Sequence, residues 1–221
     1  MGTITDFIDF EFNRQSLGDL INNSLSFLNS MLKRRSVRGF SSEEIPEEVI
    51  MNILKTATNA PSGGNSQPFF FCIVKEKEIK QRIREAAEKE EKLNYEKRYS
   101  VDFKNKVSKF KVTYQKPFLE EAPYLIVVFK EKYKKVGENI VKNNFFSEST
   151  GIAMGFLVAA IHNAGLVTLP YSPAPMKFLS EILDMPENFS PVLVFPVGYP
   201  KVGVKVPNLK KKKFEEMCRI Y

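Results

Sequence analysis

A cluster of positive charge lies early in the chain, where Lys33, Arg34, Arg35, Ser36 and Arg38 place four cations and one hydroxyl within six residues. The planar guanidinium group of arginine presents a fork of donors that matches phosphate oxygens and carbonyl edges. The cluster could therefore bind a phosphate group or the electron-rich edge of a ring. The alternative is that these cations only complement the negative end of the preceding helix.

A second set of polar residues, Glu91, Tyr95 and Lys116, combines a carboxylate, a phenol and an ammonium group. Glu91 and Tyr95 are four residues apart and so share one face of a predicted helix, while Lys116 follows after a predicted reversal of the chain. Brought together, these groups could hold an amino-acid zwitterion, with Glu91 pairing the amine and Lys116 the carboxylate. In a segment so rich in Glu and Lys, the alternative is a solvated surface pair.

Two loops offer further groups that could contact a ligand. The segment APSGGNSQP contains Pro61, Ser62 and Gly64, and its glycines allow a ligand to approach the backbone, although an ordinary turn uses the same residues. Tyr171 and Ser172 place hydroxyl groups in a later loop. Because the sequence contains neither GxGxxG nor GxxxxGK[ST], the usual motifs for a dinucleotide or a P-loop site are missing.

Histidine and cysteine are scarce in this chain. His162 is the single histidine, and Cys72 and Cys218 are the two cysteines, among 221 residues. This composition excludes a histidine-based metal site and a disulfide framework, and no metal site is predicted. Difficult chemistry would have to come from a bound organic cofactor.

Charge and hydropathy limit the other classes of function. The net charge of +7 suggests nucleic-acid binding, but no helix-turn-helix, zinc-finger or RNP motif supports it, so no nucleic-acid partner is predicted. The longest uncharged apolar run, residues 151–161, is shorter than the ~18 residues of a membrane span. The N-terminal residues carry acids where a secretory signal carries bases. We expect a cytoplasmic protein without a membrane partner.

The pattern of apolar residues predicts alternating helices and strands. Helices are predicted over 17–32, from Pro46 onward, over 76–98 and at PMKFLSEIL. An apolar segment from about 139 to 164 predicts a helix buried on several sides, at the centre of a domain or at a subunit interface. Strands are predicted at PFFFCIV, APYLIVVFK and PVLVFPVGYP, with a short one at LVT. We expect an α+β fold, a three-layer α/β/α sandwich, in a single domain spanning 1–221.

The order of these motifs resembles the nitroreductase superfamily of flavin enzymes and, within it, the iodotyrosine deiodinase branch. The resemblance covers roughly residues 31–214 and is carried by RRSVRGF, TATNAPSGGNSQPF, EKLNYEKR, KPFLEEAPYLIVVFK, NAGLVT, PVGYP and VPNLKKK. The first two segments indicate the superfamily. The set Glu91, Tyr95 and Lys116 indicates the deiodinase branch.

The resemblance implies a domain-swapped homodimer with FMN at the subunit interface, a lid over about 85–115 and a C-terminal arm over about 200–221 that reaches the partner. It implies that Gly64, Glu91, Tyr95 and Lys116 bind the substrate, and that the hydroxyl of Ser172 lies near flavin N5 as the catalytic group. The residues implied in cofactor binding are Arg34, Arg35, Ser36, Arg38, Pro61, Ser62, Pro170, Tyr171, Ser172 and Lys211.

The activity implied is the reductive removal of iodide from 3-iodotyrosine and related halotyrosines by reduced FMN, with NAD(P)H as the source of electrons. The alternative is a general NAD(P)H-dependent nitro or quinone reductase on the same fold. Lys211 stands where the animal enzymes of this branch have arginine, and Pro170 and Tyr171 replace threonines. These departures leave the phosphate contact and the local flavin contacts open.

Overall fold

The computed structural model describes residues 6–110 and 112–221. Within the chain, the residues up to Arg34 form one unit and Arg35–Tyr221 form a second. In the first unit, helix α1 spans Leu17–Lys33, begins at Ser16, whose hydroxyl accepts a hydrogen bond from the Asp19 amide, and ends at Arg34. The predicted helix and its termination in the cation cluster are therefore confirmed, although the apolar side chains of α1 are largely exposed.

The second unit is built on a four-stranded sheet with strand order β1-β2-β6-β5, in which neighbouring strands are antiparallel. The strands are β1 (Phe69–Val74), β2 (Tyr124–Glu131), β5 (Val167–Thr168) and β6 (Phe189–Gly198), and a separate hairpin pairs β3 (Tyr133–Val136) with β4 (Asn139–Lys142). The helices of this unit are α2 (Glu47–Thr58), α3 (Lys77–Leu93), α4 (Val101–Ser108), α5 (Phe118–Glu121), α6 (Phe146–Asn163) and α7 (Lys177–Ile182).

Strand β2 lies at the centre of the unit and separates two apolar cores. Its side chains alternate between the faces of the sheet, so that Leu125 and Val127 pack with α3, α5 and α7, whereas Ile126 and Val128 pack with α2 and α6. All four side chains are fully buried. A sheet with helices on both faces confirms the predicted α+β three-layer sandwich.

The helix predicted from about residue 139 begins later than predicted. Its first four residues form β4, and α6 begins only at Phe146. Helix α6 buries one side against the sheet, whereas Ile152 and Phe156 are 44% and 40% exposed. These two residues are apolar on a side that this chain does not cover, so burial of that side at a subunit interface stays a prediction.

Candidate active site

A cavity of about 530 Å³ lies in the second unit, between α3 and α4 on one side and the segments 36–38 and 169–172 on the other. The segment 36–38 reaches the cavity because Ser36 forms a parallel β-bridge with Thr168 of strand β5, and the Val37 amide donates a hydrogen bond to the Thr168 carbonyl. Eight of the residues singled out in the sequence line this cavity: Ser36, Arg38, Glu91, Tyr95, Lys116, Pro170, Tyr171 and Ser172.

Glu91 and Lys116 form a buried ion pair at this cavity. Their charged atoms are 3.5 Å apart, and each side chain is 7% exposed. The Lys116 ammonium also donates to the Thr113 carbonyl. Burial lowers the pKa of Lys116, and it outweighs the opposing effect of the Glu91 carboxylate. The pair therefore presents two opposite charges, both largely shielded from solvent, to any molecule that enters the cavity.

Tyr95 lies in a π-helical turn, Asn94–Arg98, that continues α3 towards the cavity. Such turns are frequent at functional sites because they redirect side chains within a helix. The Tyr95 hydroxyl donates to the Val112 carbonyl at 3.3 Å, and its ring packs against Tyr99, which in turn packs against Phe103. Burial raises the pKa of Tyr95. An aromatic wall thus faces the ion pair.

Tyr171 packs beneath the ion pair and is 8% exposed. Its ring meets Phe118 edge to face, and its hydroxyl lies 3.5 Å from a Glu91 carboxylate oxygen. Both backbone polar groups of Tyr171 are bonded to Val194. The polar groups of Tyr171 are thereby engaged within the protein, which leaves its ring atoms as the part available to a cofactor.

We expect the buried phenol of Tyr171 to make the protein lose stability at alkaline pH. Burial, and secondarily the Glu91 charge, raise its pKa in the folded state, so the unfolded chain loses this proton first, from about pH 10 upward. Above that pH the free energy of unfolding should fall by about 1.4 kcal/mol per pH unit more in the wild type than in Tyr171→Phe. Denaturant titrations at a series of pH values measure this difference. Parallel pH profiles for the two proteins would contradict it.

Ser36 and Arg38 line the cavity on the side opposite α3 and α4. We call this side the cationic floor because it carries the Arg38 guanidinium group. Burial lowers the pKa of Arg38, and within residues 6–110 and 112–221 no carboxylate pairs with its guanidinium group. Among residues 6–110 and 112–221, the cations Arg38, Lys116 and Lys205 line the cavity, against the one carboxylate of Glu91. A guanidinium group with no carboxylate partner among the described residues fits an anionic or electron-rich cofactor such as FMN.

Six of the predicted cofactor and substrate residues do not line the cavity. Arg34 ends α1 in the first unit, and Arg35 donates to the carbonyl of Pro207, a residue that does line the cavity. Lys211 lies in the exposed C-terminal segment. The others, Pro61, Ser62 and Gly64, belong to the loop before β1, where the Gly63 amide donates to the Ser149 hydroxyl at the start of α6.

Sequence reasoning missed several residues that line the cavity. On the α4 side these are apolar or aromatic, namely Tyr99, Phe103, Val107, Phe110 and Val112. A signal was present, because Tyr95, Tyr99, Phe103 and Val107 recur at intervals of four residues, the spacing of one helical face. In the structure the chain is extended at Tyr99 and Ser100, so these residues come from two helical segments. Lys205 and Pro207 were not singled out, because they come from a C-terminal segment without periodicity, although Pro207 belongs to the motif VPNLKKK.

Comparisons with known proteins identify the family of this chain. A model described as the nitroreductase family matches residues 31–199. The chain belongs to the nitroreductase family. Within the family it is similar to iodotyrosine deiodinases: 46% identical to that of Haliscomenobacter hydrossis, over 92% of both chains, and 36% identical to iodotyrosine deiodinase 1 of Homo sapiens, over 96% of this chain and 74% of the human protein.

Solved structures share the fold of this chain. A crystal structure of oxidised iodotyrosine deiodinase bound to FMN and 3-iodo-L-tyrosine matches with a TM-score of 0.76 and 34% identity, over 85% of this chain and 95% of that one. A BluB-like flavoprotein from Clostridium difficile 630 matches with a TM-score of 0.66 and 22% identity, over 88% of this chain and 98% of that one, which indicates the fold alone. Within the described residues, no helix is long and apolar enough to cross a membrane.

Proposed function

We propose that this protein removes iodide from 3-iodotyrosine and related halotyrosines by FMN-dependent reduction. The observation that carries the proposal is the buried pair of Glu91 and Lys116 at the cavity, 3.5 Å apart. A pair of opposite charges matches the ammonium and carboxylate groups of a free amino acid. The relatives named iodotyrosine deiodinase and the structural match that holds FMN and 3-iodo-L-tyrosine support the same reaction.

The residues that would hold FMN are those of the cationic floor, together with residues from other loops and from the C-terminal segment. Bound and reduced, FMN supplies the two electrons that, together with one proton, convert an aryl iodide into the arene and an iodide ion. Ser36 and Arg38 would bind the cofactor from within the cavity, and Ser172 would place its hydroxyl at the ring. We assign further contacts to Arg34, Arg35, Pro61, Ser62, Pro170, Tyr171 and Lys211.

The substrate would exchange one ion pair for two. Its ammonium group would bind the Glu91 carboxylate and its carboxylate group the Lys116 ammonium, with the Tyr95 hydroxyl beside them. The Gly64 amide would bind the substrate phenolate. A molecule with only one of the two charges leaves the other protein charge buried and unpaired, which costs several kcal/mol. Glu91 and Lys116, which we call the clamp, therefore select a zwitterion and orient its ring over the cofactor.

Closure of a lid is part of this proposal. The segment from about 85 to 115 supplies Glu91, Tyr95 and the apolar wall of the cavity, and residue 111 within it lies outside the described part of the chain. A dry site strengthens the action of fixed donors on developing charge. The arm of about 200–221 would reach the partner subunit and complete the site.

We also propose a homodimer with two composite sites, in which each protomer is a single domain spanning 1–221. The structure describes residues 6–110 and 112–221 of that domain. Helix α6 exposes a stripe of Gly151, Ile152, Gly155 and Phe156. Small residues flanked by apolar ones allow two helices to pack closely. Pro61, Ser62 and Gly64 lie outside the cavity of their own chain, and the partner would bring the equivalent loop to it.

Gly155→Leu is expected to abolish the dimer without harming the protomer. A Cβ atom at Gly155 meets nothing within 4 Å, and leucine favours the helix by about 0.8 kcal/mol over glycine. The leucine side chain would nevertheless separate two closely packed helices. Light scattering after size exclusion should give the mass of one chain, with loss of bound FMN. Val136→Glu, on the exposed hairpin, is the control and should stay dimeric. A dimeric, FMN-loaded Gly155→Leu would refute the interface.

We propose NAD(P)H as the electron source, acting on the bound flavin directly or through a reductase. Anaerobic addition of NADPH or NADH, followed by the visible absorbance of the flavin, tests the direct route against dithionite as a reference.

A cytoplasmic location is supported by two free thiols, Cys72 and Cys218, which suit a reducing compartment.

Iodide release in a single turnover tests the proposed reaction. The protein, loaded with FMN and reduced anaerobically, is mixed with one equivalent of 3-iodo-L-tyrosine, and iodide and tyrosine are quantified. We expect one iodide and one tyrosine per flavin. The general reductase is the alternative, and the absence of iodide together with rapid reduction of nitroarenes by the same sample would favour it.

A further inference from the structure

We propose that Glu88 is a positioning residue for the substrate's carboxylate site, an inference that rests on the proposed function of Lys116. Glu88 precedes Glu91 by three residues on α3 and is not among the residues that line the cavity. It reaches the site through the backbone of Lys116, and its role follows from the bonds of its two carboxylate oxygens.

Each oxygen of the Glu88 carboxylate has its own partner. One accepts a hydrogen bond of 2.7 Å from the Lys116 backbone amide, twenty-eight residues later in the chain. The other accepts a bond of 3.0 Å from the Arg84 guanidinium group, and the Glu88 side chain is only 18% exposed. Bonds to an ionised group at low exposure are about twice as strong as neutral ones. The carboxylate therefore fixes the backbone from which the Lys116 side chain emerges.

Glu88 is the member nearest the cavity in a row of contacts between α3 and the segment 116–122. Arg84 pairs with the Glu120 carboxylate, and the buried Lys80 ammonium donates to the carbonyls of Glu120 and Ala122 at 3.2 and 2.7 Å. Residues 80, 84 and 88 recur every four positions and so lie on one face of α3. This row attaches the segment to a rigid helix, and Glu88 makes the contact at Lys116 itself.

The consequence concerns the zwitterion and not the aromatic ring. An ammonium group stabilises a bound carboxylate only while the two stay in contact. In enzyme sites, a displacement of about 1 Å can lower the reaction rate about a hundredfold. When Glu88 no longer holds the Lys116 amide, the ammonium group loses its fixed place opposite Glu91. Binding of a halogenated phenol without an amino-acid group does not use that place.

Two conservative variants separate the reach of Glu88 from its charge. Glu88→Gln keeps an acceptor oxygen at the same distance from the backbone but loses the charge that faces Arg84. Glu88→Asp keeps the charge but is one methylene too short to reach the Lys116 amide. The measurement is the dissociation constant of the oxidised, FMN-loaded protein for 3-iodo-L-tyrosine and for 2-iodophenol, followed by quenching of flavin fluorescence.

We expect Glu88→Asp to weaken 3-iodo-L-tyrosine about tenfold and Glu88→Gln no more than about threefold, with 2-iodophenol changed less than about twofold in both. Glu85→Asp is the matched control, because Glu85 lies on α3 and contacts Arg84 without touching Lys116, and it should bind both ligands as the wild type does. Equal losses for the two ligands, wild-type affinity in Glu88→Asp, or the same loss in Glu85→Asp would overturn the inference. Wild-type protein that fails to bind 3-iodo-L-tyrosine would instead overturn the proposed function.

Discussion

Glu91→Gln is expected to raise the dissociation constant for 3-iodo-L-tyrosine at least about 30-fold, which corresponds to ~2 kcal/mol. The substrate ammonium group loses its counter-charge, and Lys116 is left as an unpaired cation at 7% exposure. Burial already lowers the pKa of Lys116 against the opposing effect of Glu91. Removing that carboxylate charge therefore favours the neutral lysine, which binds a substrate carboxylate poorly. The two halves of the clamp should fail together.

Titration of flavin fluorescence in the FMN-loaded variant measures this loss. Lys116→Gln should show a loss of similar size, and the double variant should lose less than the sum of the two, because the groups are in direct contact. Binding of 2-iodophenol, which lacks both charges, is the internal control and should be unchanged. If Glu91→Gln kept wild-type affinity for 3-iodo-L-tyrosine, the pair would be structural and the clamp would have to be abandoned.

Arg38→Met is expected to weaken FMN between about tenfold and a hundredfold, the range for loss of hydrogen bonds to a charged group. Burial lowers the pKa of Arg38, and the structure provides no carboxylate for it in the part of the chain it describes. Its donors are therefore free for a ligand at the floor of the cavity. Methionine retains the length and much of the packing, so the loss should fall on the cofactor and not on the fold.

The FMN content of the purified variant and a titration of the apoprotein with FMN measure this effect. Arg38→Lys, which keeps the charge without the fork, should lie between the variant and the wild type. Arg98→Met is the matched control, because Arg98 is about half-exposed, pairs with Glu90 and does not line the cavity. Full FMN occupancy in Arg38→Met, or an equal loss in Arg98→Met, would remove Arg38 from the cofactor site.

The layers of the fold follow from local patterns in the sequence. The strand at Tyr124–Glu131 was predictable because a short continuous apolar run is typical of a strand buried on both faces. The helix at Leu17–Lys33 was predictable because its apolar residues repeat at the helical period. The hairpin of β3 and β4 was not, since its residues are mostly exposed and lack the alternation that burial of one face imposes. An apolar residue such as Phe156 likewise indicates burial without indicating what covers it.

The candidate site was predictable to the extent that its groups share an element or a motif. Glu91 and Tyr95 lie on one helical path, and the resemblance to a family brought Lys116 to them. Glu88 was not predictable, because its contact with the Lys116 amide depends on how the segment 112–117 returns to α3. The packing of Tyr171 beneath the ion pair depends on tertiary structure in the same way. Contacts between segments distant in sequence leave no periodic signal.

Binding of a zwitterionic iodotyrosine beside a flavin is best measured by the visible spectrum of the purified protein during titration with 3-iodo-L-tyrosine. We expect the absorption bands of an oxidised flavin, and a saturable change in those bands with one equivalent of 3-iodo-L-tyrosine per flavin. Tyramine, which has the amine without the carboxylate, should produce that change only at far higher concentration. A colourless protein that takes up no added FMN, or a flavin spectrum that responds equally to tyramine and 3-iodo-L-tyrosine, would contradict this expectation.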